Sequence, residues 1–219
     1  MNFCIWVRLM IDEYDGEKSF AVKPTYVFST YHTLCCRPPD HSIYQGTLFY
    51  GLHYLATSSL ILKAYSDADW SGDPSDRRST TCFCIFFGDS LISWRSKKQT
   101  LIAHFSTEAE YRALADTTSE ILWLRWLLSD LETSQPSPTD LYRDNLSAIQ
   151  IAHNDVFHER TKHIEIDYHF IRQHLLRGEL HLVSIGTLDQ SADLFTKSHS
   201  PGRFRTLLSK LKLFTAPLT

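Results

Sequence analysis

The sequence has few of the features that mark membrane-spanning or disulfide-bonded proteins. Its longest uninterrupted apolar run, at residues 82–87, is far too short to span a bilayer. The apolar patch near the N-terminus is interrupted by Arg8 and followed by acidic residues, so we expect no signal peptide. The 5 cysteines are odd in number and lack the spacing of a disulfide framework. These absences predict an intracellular protein, cytoplasmic or nuclear, without a transmembrane segment.

The chain also lacks a strong charge of one sign and the common signatures of nucleophilic and zinc catalysis. Its formal net charge is −3, so contact with nucleic acid has to come from a local basic patch. None of its serines lies in a Gly-x-Ser-x-Gly motif. His153, His158 and His163 recur at regular spacing, but no cysteines accompany them at zinc-ligand spacing. We therefore interpret these histidines as structural or surface residues.

What the sequence does contain is a set of short acidic motifs. They lie at residues 65–70 (YSDADW), 107–111 (TEAEY), 142–145 (YRDN) and 191–194 (SADL). Each has a carboxylate near the end of a strand-like run or the start of a helix-like run, where a fold can bring distant side chains together. Clustered carboxylates repel each other unless cations neutralise them, and oxygen ligands suit Mg²⁺ or Mn²⁺. The motifs fit a two-ion site for phosphodiester hydrolysis, or acidic residues that merely end secondary-structure elements.

Local patterns predict an alternation of strands and helices. Apolar runs predict strands at residues 60–66, 82–87, 91–94, 139–143 and 179–185, with a tight turn at Gly88-Asp89 between the second and third. A long helix is predicted after the N-caps Ser106 and Thr107, with Glu110 completing a capping box. Shorter helices are predicted at residues 147–153, 164–177 and 190–197. This order predicts an α/β protein with a mixed five-stranded sheet flanked by helices.

Three stretches of the chain resemble a known family. Residues 64–124, 141–176 and 189–197, the last reading DQSADLFTK, resemble the RNase H domain of copia-type retrotransposon Pol polyproteins. The resemblance runs from about residue 46 to about residue 213. It implies an RNase H-like fold and an endonuclease that hydrolyses the RNA strand of RNA–DNA hybrids. It also implies three regions, namely a non-family segment at 1–45, an RNase H-like domain at 46–213 and a tail at 214–219.

The resemblance implies which carboxylates are catalytic. The motifs SDAD, EAEY, DN and AD-FTK carry the catalytic acids of the family, which here are Asp67, Glu110, Asp144 and Asp193. These four would hold two Mg²⁺ ions, for which Mn²⁺ could substitute, with Asp67 as the bridging ligand. Glu108 is the fallback for Glu110, although the two lie on nearly opposite sides of a helix. Asp69 alternates away from Asp67 along an extended strand, so we expect it to be structural.

The implied partner is an RNA–DNA hybrid, and a reverse transcriptase acting in trans is a further partner to consider. A hybrid is distinguished from DNA duplex through 2′-hydroxyls in its minor groove. Six residues in or near the loops around the predicted strands are candidates for contact with phosphates and sugars: Arg77, Arg78, Trp94, Lys97, Lys98 and Asn145. The alternative for each is a solvated charge or a side chain with a purely structural role.

The chain departs from the family at positions close to the predicted site. His104-Phe105 precedes the long helix where the family usually has Arg-Ser, and Cys82 occupies a glycine-like position. Many cellular RNases H have a histidine before the last catalytic aspartate that assists proton transfer. No histidine lies between His181 and Asp193, so the sequence assigns this role to no residue.

The N-terminal segment departs from the family throughout. Residues 34–45 can be encoded by codons that, read one nucleotide later, encode a helix-like peptide similar to the family's linker before RNase H. We hypothesise that the chain is the C-terminal fragment of a degenerate element copy, frame-disrupted upstream of about residue 46, whose segment 1–45 packs poorly. The alternative to an active enzyme is then a catalytically inactive relic, or a nucleic-acid-binding module that retains the fold.

Overall fold

The structure is a computed structural model that describes residues 19–21, 50–55, 58–72, 74–154, 164–197, 199–211 and 213–215. Its strands are β1 (Ser19–Ala21), β2 (Tyr50–Leu55), β3 (Leu62–Asp69), β4 (Thr80–Phe87), β5 (Ser90–Lys98), β6 (Thr139–Arg143), β7 (Leu180–Ser184) and β8 (Leu213–Thr215). Its helices are α1 (Ser106–Asp130), α2 (Leu146–His153), α3 (Glu165–Leu176) and α4 (Pro201–Lys210), with short 3₁₀ helices at Thr187–Asp189 and Ser191–Phe195.

The centre of the molecule is a mixed five-stranded sheet with the strand order β5-β4-β3-β6-β7. The strands β3, β4 and β5 form an antiparallel meander, whereas β6 pairs with β3, and β7 with β6, in parallel. Parallel neighbours need a crossover connection, and the helices supply it here. The predicted mixed sheet flanked by helices is therefore confirmed.

The hairpin between β4 and β5 is built as the sequence predicts. Phe87 lies opposite Ser90, so Gly88 and Asp89 form the two-residue turn. Gly88 has φ of +59°, a left-handed conformation that glycine adopts without steric cost. A Cβ atom at this position would lie 2.1 Å from the Ser59 carbonyl oxygen, so the turn has no room for a side chain.

Both faces of the sheet are covered, which explains why β4 is apolar without interruption from Cys82 to Phe87. Phe83 and Ile85 of β4 pack in a core cluster with residues of α1 such as Leu114 and Ile121. The alternate side chains of β4 lie on the other face, because side chains alternate along a strand. There Cys82, Cys84 and Phe86 pack with Ala192 and Phe195 of the second 3₁₀ helix and with Leu207, Leu208 and Leu211 in and after α4.

Three local predictions differ from the structure. The first strand of the sheet extends to Asp69, so Asp67 lies within it and not after it. The predicted capping box is wrong, because the N-cap of α1 is Phe105 and no side chain caps the helix. The predicted helix at 190–197 is a five-residue 3₁₀ helix, and α4, which begins with Pro201 at its first position, was not predicted.

A second, three-stranded sheet has the order β1-β2-β8, with antiparallel pairing throughout. It includes residues 19–21 of the predicted N-terminal segment and residues 214 and 215 of the predicted tail. Residues 34–45, on which the frame-disruption hypothesis rests, lie outside the described residues. Among the residues that the structure describes, no helix is both long enough and apolar enough to cross a membrane.

Candidate active site

Asp67 lies on β3, the central strand of the sheet, and its side chain is almost completely buried. Its backbone is opposite Cys82 on β4, and the residue is 1% exposed. A carboxylate at such a depth requires polar partners. Its Oδ2 accepts a hydrogen bond from Thr196 Oγ1 at 2.7 Å and lies 3.3 Å from Lys197 Nζ. The segment after the second 3₁₀ helix therefore holds Asp67 in position.

The parallel pairing of β3 and β6 brings Asp144 beside Asp67. In this register Tyr65 lies opposite Tyr142, and the two rings stack with their centroids 4.9 Å apart. Asp67 and Asp144 come two residues further along their respective segments. Asp144, which directly follows β6, is half-buried.

Glu110, in the second turn of α1, completes a group of three carboxylates. One oxygen from each of Asp67, Glu110 and Asp144 lies within 4.8 Å of the others, and we call these three residues the carboxylate cluster. They come from three separate segments of the chain, namely β3, α1 and the residue after β6. An all-carboxylate donor set suits a hard divalent cation such as Mg²⁺ or Mn²⁺.

Glu108, the alternative to Glu110, points elsewhere. One of its oxygens lies 2.6 Å from Arg112 Nη2, and the other accepts a hydrogen bond from the His104 backbone N–H at 2.8 Å. Asp69 is also outside the carboxylate cluster, and its Oδ2 lies only 1.6 Å from where a Cβ atom at Gly72 would be. The geometry therefore favours Glu110 over Glu108, and the Asp69 side chain packs against Gly72.

Asp193 lies next to Asp67 but is not a member of the carboxylate cluster. It belongs to the second 3₁₀ helix, and its Oδ1 accepts a hydrogen bond from Lys197 Nζ at 3.0 Å. The same ammonium contacts Asp67, so Lys197 bridges the two aspartates. Arg203 Nη2 lies 3.7 Å from the second oxygen of Asp193. The four predicted catalytic acids thus form a group of three with the fourth attached through a lysine.

The pKa values in the site reflect burial and mutual repulsion of the carboxylates. Burial raises the pKa of Glu110 to about 7; Arg143 opposes this shift, while Asp67 and Asp144 add to it. Burial and then Asp67 raise the pKa of Asp193, against the effect of Lys197. Burial alone would lower the pKa of Lys197, but the two aspartates outweigh it and raise this pKa. The ionised carboxylates are therefore costly in the absence of a bound cation.

The predicted basic contacts for nucleic acid lie at the end of the sheet that carries Asp67. Asp69 at the end of β3 pairs with Thr80 at the start of β4, which pairs with Lys98 at the end of β5. Arg77 and Arg78 precede β4, and Lys97 precedes Lys98. All four basic side chains are exposed, and Lys98 lies 3.2 Å from Asp76.

The other two predicted contacts have evident structural roles. Trp94 is half-buried and packs against the apolar cluster that contains Cys82 and Cys84. Asn145 is the N-cap of α2, where its side chain accepts a hydrogen bond from the Ala148 backbone N–H at 3.0 Å. Both side chains remain half-exposed.

Sequence reasoning missed several side chains that the structure brings to the site, among them Lys197, His199 and Arg143. Lys197 lies four residues after Asp193, a helical spacing that pairs a lysine with an acid, and this signal was available. His199 Nε2 lies 2.9 Å from the Asp193 backbone oxygen, on the C-terminal side of that residue and not on the expected N-terminal side. Arg143 is fully buried, with Nη2 at 2.5 Å from Glu110 Oε2, and no pattern in the sequence indicated this contact.

The strand order, the helical crossovers and the carboxylates on adjoining elements define an α/β protein of the RNase H-like fold. The chain is 44% identical over 172 residues to the retrovirus-related Pol polyprotein from transposon RE1 of Arabidopsis thaliana, covering 78% of this chain and 12% of that protein. It is 41% identical over 140 residues to the corresponding polyprotein from transposon TNT 1-94 of Nicotiana tabacum, covering 64% of this chain and 10% of that protein. The predicted resemblance to retrotransposon Pol polyproteins is thereby confirmed, although the chain spans only a small part of their length.

Among solved structures, the fold is similar to LC11-RNase H1, crystallised in complex with an RNA/DNA hybrid. The two share 13% sequence identity with a TM-score of 0.47, and the match covers 62% of this chain and 93% of that one. No protein-family model matches the chain.

Proposed function

We propose that this protein is a metal-dependent endonuclease that hydrolyses the RNA strand of RNA–DNA hybrids. The observation that carries the proposal is the carboxylate cluster, in which oxygens of Asp67, Glu110 and Asp144 lie within 4.8 Å of one another. The similarity to transposon Pol polyproteins supports a nuclease-type enzyme. A reverse transcriptase acting in trans would be the source of the hybrid.

The donor set fits a hard divalent cation, because the cluster offers only carboxylate oxygens. We propose that the three cluster residues and Asp193 hold two Mg²⁺ ions, or Mn²⁺ in their place, with Asp67 shared between them. Such ions, when bound, lower the pKa of a water and stabilise the leaving 3′ oxygen of the RNA.

The residues around Asp67 orient its carboxylate without help from a ligand. Thr196 donates a hydrogen bond to Oδ2, and Lys197 contacts the same oxygen. Because Lys197 also binds Asp193, it fixes the positions of the two aspartates relative to each other. A site held in this way loses little conformational freedom when its ligand arrives.

The proposed hybrid interface consists of exposed basic residues at the end of the sheet where β3 and β5 end and β4 begins. Arg77, Arg78, Lys97 and Lys98 are proposed to contact phosphates, which position the duplex without reading its sequence. Trp94 and Asn145 are proposed to contribute through the exposed parts of their side chains, next to the sugars and the 2′-hydroxyls.

The test is cleavage of a hybrid with labelled RNA by the protein and by its Asp67→Asn variant, with Mg²⁺ or with EDTA. The amide keeps the side-chain volume and still accepts from Thr196, but it removes the charge that attracts cations. We expect the variant to lose activity by on the order of a thousandfold or more. Binding of the hybrid in EDTA, measured by fluorescence anisotropy, should largely persist. Asp116→Asn, an exposed substitution on α1, is the matched control and should cleave normally.

The alternative function is a nucleic-acid-binding module, or a relic, without catalysis. The ion pair between Arg143 and Glu110 is the observation that favours it, because a fixed positive charge occupies one cluster ligand. This alternative predicts no cleavage by the unmutated protein with either Mg²⁺ or Mn²⁺, together with retained binding of the hybrid. Near-normal cleavage by Asp67→Asn would instead exclude Asp67 as the shared ligand.

A further inference from the structure

An arginine occupies a core position directly beside the carboxylate cluster. Thr139, Leu141 and Arg143 are the buried alternate residues of β6, and Leu141 belongs to the core cluster formed with α1. The side chain of Arg143 therefore lies on the same buried face of β6 as those of Thr139 and Leu141, and Arg143 is 0% exposed. An arginine at such a position requires a compensating charge, because an isolated buried cation is strongly unfavourable.

Glu110 supplies that charge. Nη2 of Arg143 lies 2.5 Å from Glu110 Oε2 and donates a second hydrogen bond to the Glu110 backbone oxygen at 2.8 Å. Within the described residues, Nε and Nη1 of Arg143 are buried and have no hydrogen-bond partner. In the part of the chain that the structure describes, the guanidinium is thus hydrogen-bonded only to Glu110, through one of its nitrogen atoms.

A carboxylate that already binds a fixed cation is a weaker ligand for another cation. Arginine side chains keep their positive charge in proteins. A divalent cation bound by the carboxylate cluster has to share Glu110 with Arg143 and to approach a positive charge in a poorly solvated place. Replacement of that charge would remove the repulsion that comes from Arg143 and leave all cluster ligands intact, while Lys197 would stay beside Asp67.

We propose that Arg143 is an internal counter-ion that attenuates divalent-cation binding by the carboxylate cluster. The proposal rests on the proposed metal site, and it assigns a regulating side chain within this chain to that site. A different role of Arg143 would predict the opposite result. If Arg143 instead positions Glu110 for the metal, its loss weakens metal binding, so the two roles predict effects of opposite sign.

The test is Mn²⁺ binding to the full chain at about pH 8, measured by electron paramagnetic resonance and by calorimetry. Arg143→Gln removes the charge but keeps an N–H donor for Glu110, and Arg143→Lys keeps the charge. Arg112→Gln is the matched control. Arg112 is also largely buried, but it pairs with Glu108, which lies outside the cluster. Circular dichroism and thermal unfolding in EDTA report whether each variant folds.

We expect Arg143→Gln to bind Mn²⁺ on the order of tenfold more tightly than the unmutated protein, while Arg143→Lys and Arg112→Gln bind with unchanged affinity. Equal or weaker binding by folded Arg143→Gln would overturn the proposal and leave the metal site intact. Absence of Mn²⁺ binding by every folded variant would instead overturn the metal site and this inference together.

A second measurement uses only the unmutated protein. In the unmutated protein, Mg²⁺ added to the cluster should perturb the guanidinium N–H resonances of Arg143 in nuclear magnetic resonance spectra, since both cations use Glu110. If Mg²⁺ shifts the resonances of the Asp67 and Asp144 amides but leaves those of the Arg143 guanidinium unchanged, Arg143 does not compete with the metal.

Discussion

Gln190 links the strand that carries Asp67 to the 3₁₀ helix that carries Asp193. It is completely buried; its Nε2 donates to the Ser66 carbonyl oxygen at 2.9 Å, and its Oε1 accepts from the Ala192 N–H at 3.2 Å. Gln190→Leu keeps the approximate volume but removes both of these hydrogen bonds. We expect the free energy of unfolding to fall by about 2–4 kcal/mol.

Chemical denaturation of the two proteins measures this loss, and Gln150→Leu, an exposed substitution on α2, is its control. The control should change the free energy of unfolding by no more than about 0.5 kcal/mol. Equal stability of Gln190→Leu and the unmutated protein would mean that the two backbone groups find other partners.

At the scale of single residues, the sequence predicted positions near strand ends better than side-chain pairings. Asp67 and Asp144 could be singled out because they lie at comparable points of two predicted strands. Helical geometry showed only that Glu110 and Glu108 cannot both face the site, and the choice of Glu110 came from the family resemblance. Arg143 escaped notice because alternation along β6 only shows that it shares a face with Leu141, and an arginine is normally assumed to be solvated.

At the scale of elements, α1 offers a direct comparison between buried and exposed apolar residues. Leu114 is 0% exposed in the core cluster, whereas Trp126 on the same helix is 62% exposed. Leu114→Ala should lower the free energy of unfolding by about 2–5 kcal/mol through lost burial and a cavity. Trp126→Ala should change it by about 0.5 kcal/mol or less. Thermal and chemical unfolding of both variants would measure the difference, and similar losses would contradict the packing of α1 described here.

Elements set by local chemistry were predictable, and elements set by tertiary contacts were not. The β4–β5 hairpin depends on a glycine and two adjacent apolar runs, all of which are visible in the sequence. The segment at 190–197 does not continue as an α-helix, and tertiary donors use the carbonyl of Phe195 at its end. The Phe195 oxygen accepts from Cys82 Sγ and Ser96 Oγ, and the Asp193 oxygen lies within hydrogen-bond distance of the His199 ring.

At the scale of the whole molecule, the carboxylate cluster couples stability to pH. In the metal-free protein the pKa of Glu110 rises from 4.5 to about 7 on folding. Between these values the folded protein holds a proton that the unfolded chain releases, so its stability falls as the pH increases. The contribution of Glu110 is complete below the lower value and lost as the pH passes the higher one.

Denaturation in EDTA between about pH 5 and pH 8 would measure this dependence. Glu110→Gln should remove the part of the pH slope that arises from Glu110, whatever its effect on absolute stability, whereas Asp116→Asn should retain it. An unchanged slope in Glu110→Gln would show that another group titrates in this interval.

The parallel pairing of β3 with β6 has a kinetic consequence. β3 and β6 are separated in sequence by β4, β5 and α1, so we expect the cluster ligands to meet late in folding, through contacts between distant parts of the chain. A cation that requires the finished cluster does not stabilise the folding transition state. We expect Mg²⁺ to lower the unfolding rate in stopped-flow measurements and to leave the refolding rate unchanged; faster refolding would contradict this order of events. The metal concentration would then determine how long each molecule stays native, and not how quickly it becomes so.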